Sequence, residues 1–212
     1  MMPKAIMRIL KHHSCSSLAS AERHGLHRER LKHRAHPERS QQNTVFRKHP
    51  NMTLVQMFKH ETKNMKIRKN GVLCYEIVFA TSPEVSDRVE QNAELFGKTN
   101  LSWCADTFGK DNVLLSFLEY DEKSFHQHAY ILCRIDNRLC AKHFTGDKYK
   151  LSQMQTSYAE AIQKEFPFLE RGKCYIDCED SKPRHQSLKE YYRKLELAET
   201  KKITARIKDI NR

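Results

Sequence analysis

Residues 113–133, Val-Leu-Leu-Ser-Phe-Leu-Glu-Tyr-Asp-Glu-Lys-Ser-Phe-His-Gln-His-Ala-Tyr-Ile-Leu-Cys, carry the side chains best suited to chemistry. Two apolar runs flank a short polar stretch from Asp121 to Ser124, the pattern of two strands joined by a tight connection. Side chains two apart on a strand share a face, so His126 and His128 project from one side. Glu119 and Asp121 are placed on one face of the preceding strand, with Glu122 in the connection. Two imidazoles and up to three carboxylates thus converge at one end of a hairpin. Such mixed sites suit divalent ions such as Mn²⁺, Mg²⁺ or Zn²⁺. A polar hairpin end with two surface histidines is the plainer reading of the same stretch.

The elements around this hairpin read as an α+β chain. Residues 4–12 form a first strand, and Ser16-Ser17 cap a helix running to about His33. Residues 34–50, broken by Pro37 and Pro50, read as irregular, and a helix follows from Thr53 to Asn64. Asn70-Gly71 turns into Val72–Thr81, whose near-continuous apolarity suggests a central strand covered on both faces. Ser82-Pro83-Glu84 starts a helix expected to reach Phe108, with an interruption near Gly97 to Asn100. After the hairpin come a short strand over Arg138–Phe144 and an amphipathic helix over 149–164, stopped by Phe166-Pro167. Residues 173–185 read as loop, and 186–210 as a long charged helix with a thin apolar stripe. The predicted architecture is an antiparallel β-sheet flanked by helices. The expected boundaries are 1–185 for the main domain and 186–212 for the charged C-terminal helix.

Charge distribution points to a partner. Residues 1–70 hold 16 Lys and Arg against 4 Asp and Glu, a surplus of +12, whereas residues 71–212 hold 22 of each. The whole excess of the 212-residue chain therefore lies in its N-terminal third, which favours a polyanion and nucleic acid above all. Arg23, Arg28, Arg34, Arg39, Asn43, Arg68 and Lys69 are the expected DNA-binding residues. No run approaches the roughly 20 apolar residues of a membrane span, and residues 1–10 are too interrupted for a secretory signal, so a cytoplasmic protein is expected. Seven scattered cysteines read as reduced thiols; Cys174 and Cys178 have loose metal-ligand spacing without a second pair.

The chain resembles the N-terminal catalytic domain of the Mob/Pre plasmid mobilization proteins, the MobV class of relaxases. Arg68-Lys-Asn-Gly-Val-Leu-Cys74 is similar to the family's run before the central strand. Asp121-Glu122-Lys-Ser-Phe-His126-Gln-His128 resembles its metal motif, His-x-Asp-Glu-x-x-Pro-His-x-His. Asn137-Arg-Leu-Cys-Ala-Lys142 with Gly146, and Phe166-Pro-Phe-Leu-Glu-Arg-Gly172, resemble the blocks that follow. The four pieces occur in order at similar spacing and cover nearly the whole chain.

The resemblance implies a relaxase fold of the HUH type and an enzyme that nicks one DNA strand at an origin of transfer, staying joined to the 5′ phosphate. It implies DNA in single-stranded and hairpin form as substrate. A divalent metal, Mn²⁺ or Mg²⁺, would polarise the phosphate while a histidine attacks. His27-Arg-Glu-Arg30 matches the family's nucleophile pattern best, with Arg30 neutralising phosphate charge. His24-Gly-Leu-His27 is a competing register, because its spacing to Pro37-Glu-Arg39-Ser-Gln-Gln-Asn43 also fits. The family's first metal histidine falls at Glu119 and its motif proline at Phe125, so the implied ligand set becomes Glu119, His126 and His128, with Glu122 as a further ligand or catalytic carboxylate. A carboxylate in place of a histidine shifts the preference toward harder cations. Family members continue into a helical C-terminal region where this chain ends. The rival reading is a degenerate or non-catalytic basic DNA-binding protein.

Overall fold

The computed structural model describes residues 3–26, 36–174 and 176, with Arg193, Leu197 and Thr200 in helical conformation further on. The chain divides into a unit over Met1–Ile176 and a second over Asp177–Arg212. Most of the charged C-terminal segment therefore lies outside the described residues, as does the 27–33 part of the first expected helix.

The first unit is built on a six-stranded sheet with the order β2-β4-β5-β3-β1-β8. These strands are β1 (Lys4–His12), β2 (Thr44–Arg47), β3 (Cys74–Thr81), β4 (Val113–Glu119), β5 (His126–Leu132) and β8 (Glu170–Arg171). All pairings are antiparallel except β1 with β8. The hairpin is formed as expected, with β4 paired to β5 and Glu119 directly opposite His126. The apolar run before Thr81 becomes β3, held between β5 and β1 near the middle of the sheet.

Alternation along the strands divides the side chains between two cores, one on each face. Tyr75, Ile77, Phe79, Ala129 and Ile131 pack with Phe96, Trp103 and Phe108 of α4 (Ala93–Phe108) and with Met154, Tyr158 and Ile162 of α6 (Lys148–Glu165). On the opposite face, Leu115, Phe117, Tyr130, Leu132 and Cys74 pack with Leu18 of α1 (Cys15–Leu26) and with Leu54, Met57 and Phe58 of α2 (Leu54–Glu61). His126, His128 and Glu119 lie on this second face, because they fall in step with Tyr130 and Phe117.

Several boundaries differ from the sequence expectation for local reasons. The first helix is capped by Ser14, whose hydroxyl accepts from the Ser17 N–H (3.1 Å). The stretch 34–50 is not all irregular: β2 adds an edge strand to β4, too short and too closely flanked by breakers to show a period. The helix after Ser82 breaks at Gln91-Asn92, between α3 (Ser86–Glu90) and α4, and not at Gly97. Gly97 stays helical because α4 passes close over β4, where a Cβ would lie 3.0 Å from Leu118. The expected strand over Arg138–Phe144 is a two-residue strand, β7 (Arg138–Leu139), paired to β6 (Arg134–Ile135) and followed by α5 (Ala141–Thr145). No helix among the described residues is long and apolar enough to cross a membrane.

Two packing features lead to predictions. An added Cβ at Gly25 would fall 2.0–2.5 Å from three atoms of the Phe117 ring, and that ring stacks on His128 at 5.1 Å. Gly25→Ala should therefore cost about 1–3 kcal/mol in urea unfolding by overpacking, against the helix-propensity gain of about 1 kcal/mol that alanine would otherwise bring. The second feature is Glu61, at the end of α2, which receives Lys48 (3.0 Å), His49 (2.9 Å) and Arg134 (3.1 Å), tying that helix to the turn just after β2 and to β6. Burial raises the Glu61 pKa, but bonds from His49 and Lys48 and the charges of Lys48 and Arg134 outweigh it and lower the value from 4.5 to about 2. A depressed carboxylate stabilises the fold above its ordinary pKa, and that contribution is lost as pH falls from 4.5 toward about 2. Glu61→Gln should flatten this part of the stability–pH curve; an acid limb identical to wild type would contradict the assignment.

Candidate metal centre

The site forms where β4 ends and β5 begins. Glu119, His126 and His128 bring one ligand atom each to within 4.8 Å of one another, and His24, Glu119 and Glu122 form an overlapping group on the same criterion. Glu119 Oε2 lies 3.0 Å from His126 Nε2 and 3.8 Å from His128 Nε2. Glu122 Oε2 lies 3.8 Å from His126 Nε2, and its other oxygen 3.5 Å from His24 Nε2. Glu119 is fully buried and the two histidines are 9% exposed, so the pair of strands, not solvent, fixes their positions.

The outer nitrogens of both histidines are committed. His126 Nδ1 donates to the Ser124 carbonyl (2.8 Å), and His128 Nδ1 donates to Glu76 Oε1 (2.7 Å). Each imidazole is thereby left with Nε2 facing Glu119, the arrangement metal-binding histidines adopt. His128 Nε2 is buried with no hydrogen-bond partner among the described residues. An unsatisfied buried polar atom costs about 1–3 kcal/mol, which a cation between His128, His126 and Glu119 would relieve. The donor set, two imidazoles and a carboxylate, fits a divalent first-row ion. Burial disfavours the charged form of His126, but Glu119 and the Ser124 carbonyl raise its pKa, so cation and proton compete for the same nitrogen.

Behind His128 runs a hydrogen-bonded chain absent from the sequence expectation. Glu76 of β3 accepts from His128 on one oxygen and from His12 Nε2 (2.7 Å) on the other, and His12 Nδ1 meets Ser17 Oγ at 2.6 Å. Burial would raise the Glu76 pKa, yet the bonds and charges of His12 and His128 hold it well below the ordinary carboxylate range. The signal was present in the sequence: a glutamate in the middle of the most apolar strand needs a buried partner.

The remaining expected residues divide. His24, on the last turn of α1, borders a cleft of about 270 Å³ together with His12, Ser20, Glu76 and His128, and its ring centre is 6.3 Å from that of His128. His27, Arg28, Arg30 and Arg34 lie outside the described residues. Arg23, Arg68 and Lys69 are exposed. Arg39 is paired with Glu90 and lies over the Tyr120 ring, and Asn43 bonds the Tyr120 N–H (2.8 Å) and the Asp121 carboxylate (3.2 Å). Both clamp the hairpin connection. Asp121 does not share the Glu119 face as expected. The strand ends at Glu119, and the Asp121 side chain is turned inward to Ser40 (2.6 Å) and Asn43.

Comparison with known proteins places this geometry. A family model described as plasmid recombination enzyme (Mob_Pre) matches residues 1–193. A 65 kDa protein of Zymomonas mobilis is 29% identical over 196 residues, covering 89% of this chain and 32% of that protein. The plasmid recombination enzyme type 1 of Staphylococcus aureus is 27% identical over 143 residues, 64% of this chain and 35% of the relative. The chain thus spans about a third of the length of these curated relatives. Among solved structures, the MobM relaxase domain bound to plasmid pMV158 oriT DNA, in a Mn-bound crystal form, superposes with a TM-score of 0.76 at 22% identity, covering 90% of this chain and 99% of that one. The fold is therefore that of the MobM relaxase domain.

The hydrogen-bonded chain predicts how far support for the site extends. Glu76→Ala should weaken Mn²⁺ binding about 10–100-fold by calorimetry, as loss of an outer-shell partner does, and His126→Ala/His128→Ala should remove it. Unchanged affinity in Glu76→Ala would mean that the His128 orientation does not depend on β3.

Proposed function

The chain belongs to the plasmid recombination enzyme (Mob_Pre) family, and from that premise we propose that it is a relaxase domain that nicks one DNA strand at an origin of transfer. The observation that carries the reading is the convergence of Glu119, His126 and His128 beside His24 and Glu122, on the open side of a relaxase-type sheet. A DNA-binding module without chemistry has no need to gather two buried imidazoles, a buried carboxylate and a further histidine at one point. The substrate is single-stranded DNA with an adjoining hairpin, reached in the cytoplasm.

Glu119, His126 and His128 would hold the divalent cation, with Glu122 at its edge; of Mn²⁺ and Mg²⁺, the two imidazoles favour Mn²⁺. When bound, the cation would draw charge from the scissile phosphate. The position of His24 supports it as the attacking residue. Glu122, 3.5 Å from His24 Nε2, is placed to orient the ring and to take the proton it gives up, and the ring supplies the lone pair that attacks phosphorus. A nitrogen–phosphorus bond forms as the bond to the 3′ oxygen breaks, and the proton given up by the imidazole balances the one the 3′ oxygen takes to leave as a hydroxyl. The product is a phosphoramidate on the 5′ end of the cut strand. His27, the better motif match, remains the rival nucleophile, and Arg30 beside it would serve phosphate charge.

Phosphoramidates are labile in acid and stable in base, which separates them from serine or tyrosine esters. Incubating the protein and Mn²⁺ with supercoiled plasmid carrying a candidate origin should give nicked circles and an acid-labile protein–DNA adduct. His24→Ala should abolish the adduct and His27→Ala should retain it. The reverse result would assign His27, and DNA binding without any adduct in wild type would favour the binding-only reading. Binding itself should weaken steeply with salt, as a basic surface releasing several counterions requires.

A further inference from the structure

Gln127 stands between the two histidines, and its side chain falls on the opposite face of β5. Its neighbours on that face, Phe125, Ala129, Ile131 and Cys133, are buried and hydrophobic. An amide in such surroundings is destabilising unless its polar atoms are bonded. Here they are. Gln127 Nε2 donates to Ser116 Oγ (2.8 Å) and, at longer range, to the Gly97 carbonyl (3.4 Å), and Oε1 accepts from Asn100 Nδ2 (2.8 Å). Ser116 Oγ in turn donates to the His128 carbonyl (2.7 Å). The bonds thus run from α4 through β5 to β4 and back to the backbone of a metal-site histidine. Gln127, Asn100 and Ser116 are all buried. Asn100 Oδ1 has no partner among the described residues, so the bond to Gln127 is what accounts for an amide on the buried face of α4.

Apolar side chains would fill this space with no polar group to satisfy. They would also leave β5 free to shift slightly, because apolar contact has no preferred direction, whereas a hydrogen bond has one. The β4–β5 ladder is where such a constraint counts, since its register shifts between Val113 and Leu115, just before Ser116. Residue 127 is the one link between His126 and His128. A displacement of its backbone therefore carries both imidazoles with it, relative to the Glu119 that β4 presents opposite His126. The Ser124 carbonyl and Glu76 set how the two rings turn. Gln127 sets where the strand that bears both rings lies against β4 and α4.

We propose that Gln127, held by Asn100 and Ser116, is a positioning residue that fixes His126 Nε2 and His128 Nε2 at their separation from Glu119, and through that separation sets the affinity of the site for its divalent cation. The proposal rests on the metal-centre reading and deepens it. Gln127 acts only through the two histidines and touches neither the cation nor a substrate.

The test uses the full chain as wild type, Gln127→Met and Asn100→Leu/Gln127→Met. Urea unfolding reports stability, calorimetry reports Mn²⁺ affinity, and the electron paramagnetic resonance line shape of the bound Mn²⁺ reports the symmetry of its ligands. Gln127→Met keeps the length of the side chain but leaves the Asn100 amide unpaired, so it should lower stability. The double variant removes both amides and should recover most of that loss, because replacing both partners of a buried bond by apolar groups is nearly neutral. Mn²⁺ should nonetheless bind both variants about tenfold more weakly, as loss of a supporting contact behind a ligand does, and with a line shape changed from wild type. A double variant that regains wild-type affinity and line shape together with its stability would reduce the network to ordinary core structure and overturn the proposal. If Gln127→Met alone does not fold, the double variant decides by the same criterion. Wild type that binds no Mn²⁺ removes the metal centre and the positioning role with it, whereas equal binding by wild type and double variant removes the positioning role alone.

Discussion

Glu76 sits between two imidazoles on the central strand, and the candidate site is arranged around that contact. A carboxylate buried this far is stable only as an acceptor from charged or strongly polar donors. His12 and His128 meet that need from opposite sides, and in doing so they fix the tautomer of both rings. The His128 Nε2 atom is then aimed at Glu119, which β4 presents opposite His126. A single register of β1, β3, β5 and β4 therefore sets every ligand, and a slip of one residue would send the histidines to the other face.

Packing fixes that register. The apolar alternation of β3 and β5 faces α4 and α6 on one side, and α1 and α2 cover part of the other. Coverage on the second face is incomplete: Leu10 is 49% exposed and Arg8 is exposed on the neighbouring strand β1. A sheet surface that is partly apolar, bordered by basic residues and next to a buried ligand cluster is suited to a polyanion with stackable rings. The close approach of α1 at Gly25, against Phe117, holds His24 over the same face. Helix, sheet and site are thus one packing problem, solved with a glycine where a larger residue would separate them.

Much of this was legible in the sequence. Two-residue alternation placed His126 and His128 on one face, and the apolar runs on either side of Asp121–Ser124 gave the hairpin. The central strand and the amphipathic helix over 149–164 were equally plain, because each is long and strongly periodic. What failed was short or tertiary. β2 has four residues and β8 two, below the length at which a period can be read. Asp121 was placed by extending the strand, but hydrogen bonds from Ser40 and Asn43, about 80 residues away in sequence, turn it inward. Arg39 and Asn43, expected at the DNA by charge and polarity, also hold the hairpin connection, a contact between segments that no local pattern shows.

The central claim is that Glu119, His126 and His128 hold one divalent cation through both imidazoles. Electron spin-echo envelope modulation of the Mn²⁺-loaded protein reads this directly, since each coordinated imidazole nitrogen modulates the echo of the metal. The account predicts nitrogen couplings from two histidines in wild type, with one lost in His126→Ala and one in His128→Ala. A spectrum without nitrogen coupling, or one unchanged in both variants, would show that the cation binds elsewhere and would contradict the account.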